Sequence, residues 1–196
     1  MKTRNIIQTG LWAMVALVAG ALLVTYLNLS SQGSAANAPY GTPFTLVDQN
    51  GDPFSSEKLA GEPYALFFGY THCPDVCPTT LYELASHQQE IEKKGGDFEI
   101  VFVTVDPARD TPGVIKEYVA AVSPNILALT GDETDIAATA KGWGAFYAKQ
   151  GEGEDYLMDH TATTFLIDAK GRLAGTIAYG EDPKTVTAKL DKLAGV

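Results

Sequence analysis

The sequence predicts an α/β domain built on a mixed central sheet that is flanked by helices. Three observations lead to this prediction: patterns of buried strands and helices alternate through the middle of the chain, a hairpin pattern precedes them, and a second hairpin and a helix follow. At 196 residues, 45% of them hydrophobic, the chain is long enough for one well-packed domain and hardly long enough for two. We therefore expect one domain.

The domain is predicted to begin with a hairpin and a buried strand. Residues 44–48 are typical of a short strand, Asn50-Gly51 of a hairpin turn, and Phe54 of the start of the return strand. Residues 64–70 form a nearly unbroken apolar run, as expected of a strand that is buried on both faces. This strand ends directly before two cysteines.

Helical periodicity begins after Pro78 and ends at Gly95-Gly96. The apolar stripe of this helix consists of Leu81, Leu84, Ala85 and Ile91. Residues 99–105 then predict a second buried strand. Thr111-Pro112 is typical of a helix start, and the helix is expected to extend to about Val122.

The second half of the domain completes the sheet. Residues 126–129 predict a short strand and residues 132–143 a helix. Residues 163–168 and 173–179 predict a hairpin, and residues 182–193 a closing helix. Together these elements fit a thioredoxin-like fold with an N-terminal β-hairpin extension.

The N-terminus is predicted to contain one transmembrane helix. Residues 10–24 carry no charge, and the apolar segment 6–29 around them exceeds the roughly 20 residues that cross a bilayer. Lys2 and Arg4 precede this segment, so the positive-inside rule places the N-terminus in the cytoplasm and the domain outside.

A cleaved signal peptide is the alternative, because Ala36-Asn37-Ala38 resembles the pattern before a cleavage site. The apolar run is longer than the roughly 7–15 residues of a signal core, which favours an uncleaved anchor. We therefore divide the chain into a cytoplasmic stub and anchor (1–29), a flexible linker (30–39) and a globular domain (40–196).

The charge of the chain argues against nucleic acid as a partner. The sequence has 24 acidic and 14 basic residues, and Lys2 and Arg4 belong to the anchor, so the outer domain carries a net charge of about −12.

The two cysteines of the chain, Cys73 and Cys77, are better explained by chemistry than by structural cross-linking. A disulfide across a three-residue gap would remove little entropy from the unfolded chain. Both cysteines lie where a buried strand meets a helix N-terminus, which favours thiolates. Their sulfurs could share a metal ion or form a disulfide, and the spacing leaves both alternatives open.

A selective metal site would need a third ligand, and the chain has three histidines. His87 reads as a surface residue of the first helix. His72 is adjacent to Cys73, so its side chain is expected to diverge from that cysteine. His160 precedes a predicted strand and could reach the cysteine loop, although a lone histidine is a weak signal. Met158 is a further candidate soft ligand.

Two thiolates and one imidazole suit copper in either oxidation state. Zinc is the chemical competitor, but a structural zinc site would need a fourth protein ligand.

Three segments together resemble the Sco/SenC family of copper-binding assembly factors: residues 69–78 (GYTHCPDVCP), residues 105–112 (VDPARDTP) and Asp159-His160-Thr161. The resemblance implies a thioredoxin-like domain tethered to the bacterial inner membrane, with the domain in the periplasm. It implies copper ligands at Cys73, Cys77 and His160, and delivery of one copper ion per chain to the binuclear site of cytochrome c oxidase subunit II. A periplasmic copper donor or a thiol reductant is a further expected partner.

The resemblance assigns no catalytic role to Asp106, Arg109 or Asp110. From the residues alone, Asp106-Pro107 reads as a turn that ends a strand, and Asp110-Thr111-Pro112 as a helix start. A position of this loop beside the metal site is a hypothesis.

Whether the chain is an enzyme stays open from the sequence. A thiol:disulfide oxidoreductase, in which Cys73 and Cys77 are the redox-active pair, is the main alternative to a metallochaperone. A peroxidase that forms a sulfenic acid at one cysteine is a third hypothesis.

Overall fold

The computed structural model describes residues 12, 14, 17–25 and 40–196. The chain forms two compact units, residues 1–38 and residues 39–196. The described residues of the first unit are helical (α1). Much of the predicted transmembrane segment 6–29 and all of the predicted linker 30–39 lie outside the described residues. Within the part that is described, no helix is both long enough and apolar enough to cross a membrane.

The second unit is an α/β domain. Its strands are β1 (Thr45–Asp48), β2 (Pro53–Ser55), β3 (Tyr64–Gly69), β4 (Glu99–Thr104), β5 (Ile126–Thr130), β6 (Tyr147–Gln150), β7 (Leu157–His160), β8 (Thr163–Ile167) and β9 (Leu173–Ala178). Its helices are α2 (Val76–Lys93), α3 (Pro112–Ala120), α4 (Glu133–Gly142) and α5 (Pro183–Ala194), and a short 3-10 turn spans Ser56–Leu59.

Seven strands form one mixed sheet in the order β2-β1-β5-β4-β3-β8-β9. β4 pairs in parallel with both β3 and β5, whereas β8 pairs antiparallel with β3 and with β9. β1 and β2 form the N-terminal hairpin, and β1 joins the sheet through an antiparallel pairing with β5. The predicted thioredoxin-like architecture, a mixed sheet with helices and an N-terminal hairpin, is thus confirmed.

The core is centred on β3 and β4. Every residue of β3 is buried, as the unbroken apolar run predicts, and so is every residue of β4 after Glu99. The predicted apolar stripe of α2 is also buried. α3 contacts β5, α4 contacts β1 and α5 contacts β9, so these three helices pack on the sheet, and α2 packs against α5.

The helix starts follow the capping residues that the sequence contains. The Thr111 side chain accepts a hydrogen bond from the Val114 amide, and Pro112 is the first residue of α3. The start of α2 differs from the prediction, because the helix begins at Val76 rather than after Pro78. Cys77 therefore lies in the first turn of the helix, and Cys73 lies in the loop before it.

The sequence did not predict β6 and β7. These strands form a separate antiparallel hairpin on either side of the acidic segment 151–155, with Tyr147 opposite His160. Both strands are short and partly exposed, so they lack the apolar alternation that identifies a strand.

Candidate metal centre

The topology brings several chain segments to one edge of the sheet. Because β3, β4 and β5 are parallel, their carboxyl ends meet at the same edge. The cysteine loop follows β3, and the loop 105–111 follows β4. β8 is antiparallel to β3, so its beginning lies at this edge as well, and His160 is three residues before it.

Cys73, Cys77 and His160 converge at this edge. One ligand atom from each residue lies within 4.8 Å of the others. Nε2 of His160 is 3.4 Å from Sγ of Cys77, across 83 positions of sequence. The Cys77 amide donates a hydrogen bond of 3.4 Å to Sγ of Cys73. The three residues that the sequence singled out are thus brought together.

The two sulfurs differ in accessibility. Cys73 is 9% exposed and Cys77 is fully buried. Gly69, the last residue of β3, allows this burial, since a Cβ atom at that position would lie 2.8 Å from Sγ of Cys77. No local pattern marks Gly69 for this role, because the contact joins residues of two elements whose packing only the fold defines.

His160 is oriented by its own backbone neighbour and by two aromatic rings. Nδ1 lies 3.1 Å from the carbonyl oxygen of Thr161, and a carbonyl can only accept, so Nδ1 carries the proton. In the neutral ring, Nε2 therefore presents its lone pair toward the sulfurs. The centroids of the Phe67 and Tyr70 rings each lie 5.8 Å from the centroid of the imidazole, in edge-to-face arrangements.

The two thiols have opposite pKa shifts. A hydrogen bond from the Cys77 thiol lowers the pKa of Cys73 to about 3, and burial only partly opposes this. The same pairing with Cys73, together with burial, raises the pKa of Cys77 above its usual value. The helix N-terminus was expected to favour two thiolates, whereas the reduced, metal-free pair holds one thiolate and one thiol.

Asp110 attaches the cysteine loop to the end of β4. Its fully buried carboxylate accepts hydrogen bonds from the Thr71 amide at 3.0 Å, the Thr71 hydroxyl at 2.6 Å and the Thr104 hydroxyl at 2.6 Å. Burial raises the pKa of Asp110, and these hydrogen bonds oppose the shift. The predicted helix start at Asp110-Thr111-Pro112 is confirmed, with Thr111 as the cap, which leaves the Asp110 carboxylate free for these contacts.

The remaining candidate ligands lie outside the cluster. His72 is exposed and contacts the Thr71 hydroxyl at 3.0 Å, with Nδ1 3.9 Å from Asp110. His87 is half-buried on α2, and Met158 is half-buried against the core.

The donor set fits a soft metal ion. Among the described residues, no carboxylate belongs to the group, which consists of two sulfurs and one imidazole nitrogen. Sulfur and imidazole donors suit copper, and a closed tetrahedral zinc site would need one more protein ligand.

The shifted pKa of Cys73 predicts an unusual alkylation profile for the reduced, metal-free chain. Iodoacetamide is expected to react at Cys73 before Cys77, at a rate that is nearly constant between about pH 5 and pH 8, because Cys73 is already a thiolate. An ordinary thiol would accelerate by roughly several hundredfold over this range. Peptide mass spectrometry after timed quenching measures both sites.

The matched control for this experiment is Cys77→Ala, which removes the hydrogen-bond donor that lowers the pKa of Cys73. In this variant the rate should regain a dependence on pH. A wild-type rate that rises with pH as steeply as that of a simple thiol would contradict the thiolate assignment.

Comparison with known proteins identifies the family. The SCO1/SenC family model matches residues 32–195. A SCO2-like protein of Rickettsia prowazekii is 42% identical over 135 residues, which are 67% of this chain and 66%, just under two thirds, of that protein. Two solved structures with copper bound are also similar. ScoI of Bradyrhizobium japonicum is 37% identical, with a TM-score of 0.71, and the match covers 79% of this chain and 99% of the ScoI chain. ScoI of Arabidopsis thaliana is 34% identical, with a TM-score of 0.73, and the match covers 78% of this chain and 96% of the ScoI chain. The chain therefore belongs to the SCO1/SenC family.

Proposed function

We propose that the chain binds one copper ion through Cys73, Cys77 and His160 and delivers it to the binuclear copper site of cytochrome c oxidase subunit II. The convergence of these three ligand atoms within 4.8 Å is the observation that carries the proposal. The similarity to two ScoI structures with copper bound supports copper as the metal.

The same geometry suggests how copper could be released. The two sulfurs are close together, and neither cysteine is in a disulfide in this structure. Their oxidation to a disulfide by a partner disulfide, which accepts the two electrons and is reduced to two thiols, would remove both thiolate ligands. Copper binding and the disulfide are thus mutually exclusive states of one site.

We further propose that the domain works in the periplasm, tethered to the inner membrane by residues 1–29 through a linker at 30–39. The described side chains of α1 support an anchor, because apolar residues along it are exposed: Trp12, Met14, Leu17, Val18, Leu22, Leu23 and Val24. In this arrangement the site would meet the oxidase, and a periplasmic copper donor or thiol reductant, outside the cytoplasm.

A second candidate function is thiol:disulfide exchange, which the opposite pKa shifts of the two cysteines favour. The Cys73 thiolate would attack a partner disulfide and expel one partner sulfur as a thiolate. The Cys77 thiol would then give its proton to the expelled partner thiolate, attack Sγ of Cys73 and release the other partner sulfur as a thiolate. Two electrons then pass to the partner, for example to the cysteines of the oxidase copper site, and the chain becomes a disulfide.

The variant His160→Ala separates the two functions. It removes the imidazole ligand and leaves both cysteines, so we expect Cu(II) affinity of the full chain to fall by about a hundredfold. If copper delivery is the function, cells that carry this variant in place of the wild-type chain should also lose cytochrome c oxidase activity. Copper per chain is measured by metal analysis and oxidase activity in isolated membranes.

The control is His87→Ala, which removes a half-buried histidine of α2 outside the cluster and should leave both measurements unchanged. Normal oxidase activity in cells with His160→Ala, despite lost copper binding, would reject delivery and favour thiol exchange.

A further inference from the structure

The hairpin that carries His160 is not part of the main sheet. In the described chain, β6 and β7 pair only with each other, whereas Cys73 and Cys77 belong to the loop and helix that follow β3. The pairing of β3 with β8 brings the end of β7 to this edge of the sheet, but among the described strands no backbone ladder joins the hairpin itself to the main sheet. Side-chain contacts between the hairpin and the rest of the domain therefore add to the short chain connection through residues 161–162 in holding His160 in place.

Arg109 makes the main polar contacts of this kind. Its Nε donates a hydrogen bond of 2.5 Å to Oδ2 of Asp106, within the loop that follows β4. Its Nη1 donates a hydrogen bond of 3.1 Å to the carbonyl oxygen of Glu154, in the segment that leads into β7. The guanidinium also lies over the Tyr156 ring, with Cζ 3.6 Å from the ring centroid.

Tyr156 completes the connection, because its hydroxyl donates a hydrogen bond of 2.6 Å to Oδ1 of Asp106. Asp106 and Arg109 thus hold both the ring and the backbone of the segment before β7. The side chains of Arg109 and Asp106 are 16% and 4% exposed, so water screens this ion pair less than a surface pair. We call Asp106, Arg109 and Tyr156 the clamp.

The clamp lies close to the ligand histidine. Tyr156 immediately precedes β7 and is four residues before His160, the last residue of that strand. The Tyr70 ring is close to both residues: Cζ of Arg109 is 5.9 Å from its centroid, and the centroid of the His160 imidazole is 5.8 Å from it. A shift of the clamped segment would therefore move the imidazole relative to the cysteines.

We propose that Arg109 is a positioning residue for the metal centre: it fixes the β6–β7 hairpin so that Nε2 of His160 faces the two sulfurs. This inference rests on the proposed function, in which His160 is a copper ligand. The planar guanidinium suits the task, since it stacks on a ring and forms directed hydrogen bonds at the same time. A lysine at this position would keep the positive charge but would lose the stacking of the planar guanidinium on the Tyr156 ring.

The test is a double-mutant cycle on the full chain, with Cu(II) affinity measured by chelator competition. Arg109→Ala should weaken binding about tenfold in the wild-type background, as is typical for residues that orient a ligand. In the His160→Ala background the same change should weaken binding less than about twofold, because Arg109 acts through His160. The electron paramagnetic resonance spectrum of the Arg109→Ala copper form should show weaker nitrogen coupling.

A second measurement needs no metal. Amide hydrogen exchange over residues 157–160 of the metal-free chain should be at least about tenfold faster in Arg109→Ala, because the hairpin opens more often. This readout separates the two hypotheses: absence of copper binding by the wild-type chain would reject the proposed function, and unchanged exchange would reject the clamp.

The matched control is Arg172→Ala. Arg172 pairs with Asp168 through Nε at 2.9 Å and Nη2 at 2.7 Å, but it lies at the turn between β8 and β9. This variant should change neither copper affinity nor amide hydrogen exchange at residues 157–160.

If Arg109→Ala does not fold, two other variants test the clamp. Arg109→Lys tests the stacking of the guanidinium on Tyr156, and Tyr156→Phe tests the hydrogen bond of the Tyr156 hydroxyl. An equal loss of affinity from Arg109→Ala in both backgrounds would overturn the inference.

Discussion

Cys77→Ser is expected to abolish stoichiometric copper binding by the full chain, and Cys73→Ser is expected to do the same. A serine hydroxyl does not ionise near neutral pH and is a hard donor, so it cannot replace a thiolate for copper. If each ligand contributes about 3 kcal/mol, the loss of one thiolate weakens binding by at least about a hundredfold. Metal analysis after dialysis measures copper per chain, and the sulfur-to-copper absorption band reports the remaining ligands.

The control for the cysteine variants is Thr79→Ala, a polar residue in the same first part of α2. Its hydroxyl donates a hydrogen bond of 3.5 Å to Asp75, which is not one of the three candidate ligands. This variant should keep one copper ion per chain. Full copper occupancy in either serine variant would show that the metal is held elsewhere and would remove the basis of the proposed function.

Asp110→Ala is expected to lower the free energy of unfolding by about 3 kcal/mol. The change leaves the Thr71 amide, the Thr71 hydroxyl and the Thr104 hydroxyl without their common acceptor. Hydrogen bonds to charged groups contribute about 1.5–3 kcal/mol each, and a buried donor without a partner is costly. Because Thr71 is two residues before Cys73, the cysteine loop should loosen and copper affinity should fall as well. Urea denaturation of the metal-free chain measures the stability.

The matched control is Asp168→Ala. Asp168 also accepts several hydrogen bonds, including those from the Lys170 and Arg172 amides at 2.9 Å each, but it is half-buried in the turn between β8 and β9. The variant Asp168→Ala should leave copper affinity unchanged. Asp110→Asn keeps one acceptor oxygen and the side-chain shape, so its stability loss should be smaller. A loss below about 1 kcal/mol for Asp110→Ala would show that the carboxylate does not hold the loop.

Asp110 and Arg109 are neighbours in sequence but hold different halves of the candidate metal centre. Asp110 binds the loop that carries Cys73, and Arg109 binds the hairpin that carries His160. Their variants should therefore differ in the spectroscopy of bound copper: Arg109→Ala should affect the nitrogen signal, and Asp110→Ala should affect the sulfur absorption.

Much of the fold could be predicted because its signals are local. The apolar run of β3, the apolar stripe of α2 and the Thr111-Pro112 start of α3 each depend on residues within a few positions of one another. The β6–β7 hairpin was missed because its strands are short and half-exposed, so packing and the clamp stabilise them rather than a pattern of their own.

The sequence by itself determined the strands and helices of the main sheet, the cysteine pair at a strand-to-helix junction and, through three motifs, the family. The residues alone left the third ligand open, the resemblance implied His160, and the tertiary structure brings this histidine to the sulfurs. Only the tertiary structure decided which cysteine is the thiolate and what Gly69, Arg109 and Asp110 contribute. The physical reason is distance along the chain. His160 and Cys77 are 83 positions apart, and their contact depends on the pairing of β3 with β8 and on the clamp, which no local pattern records.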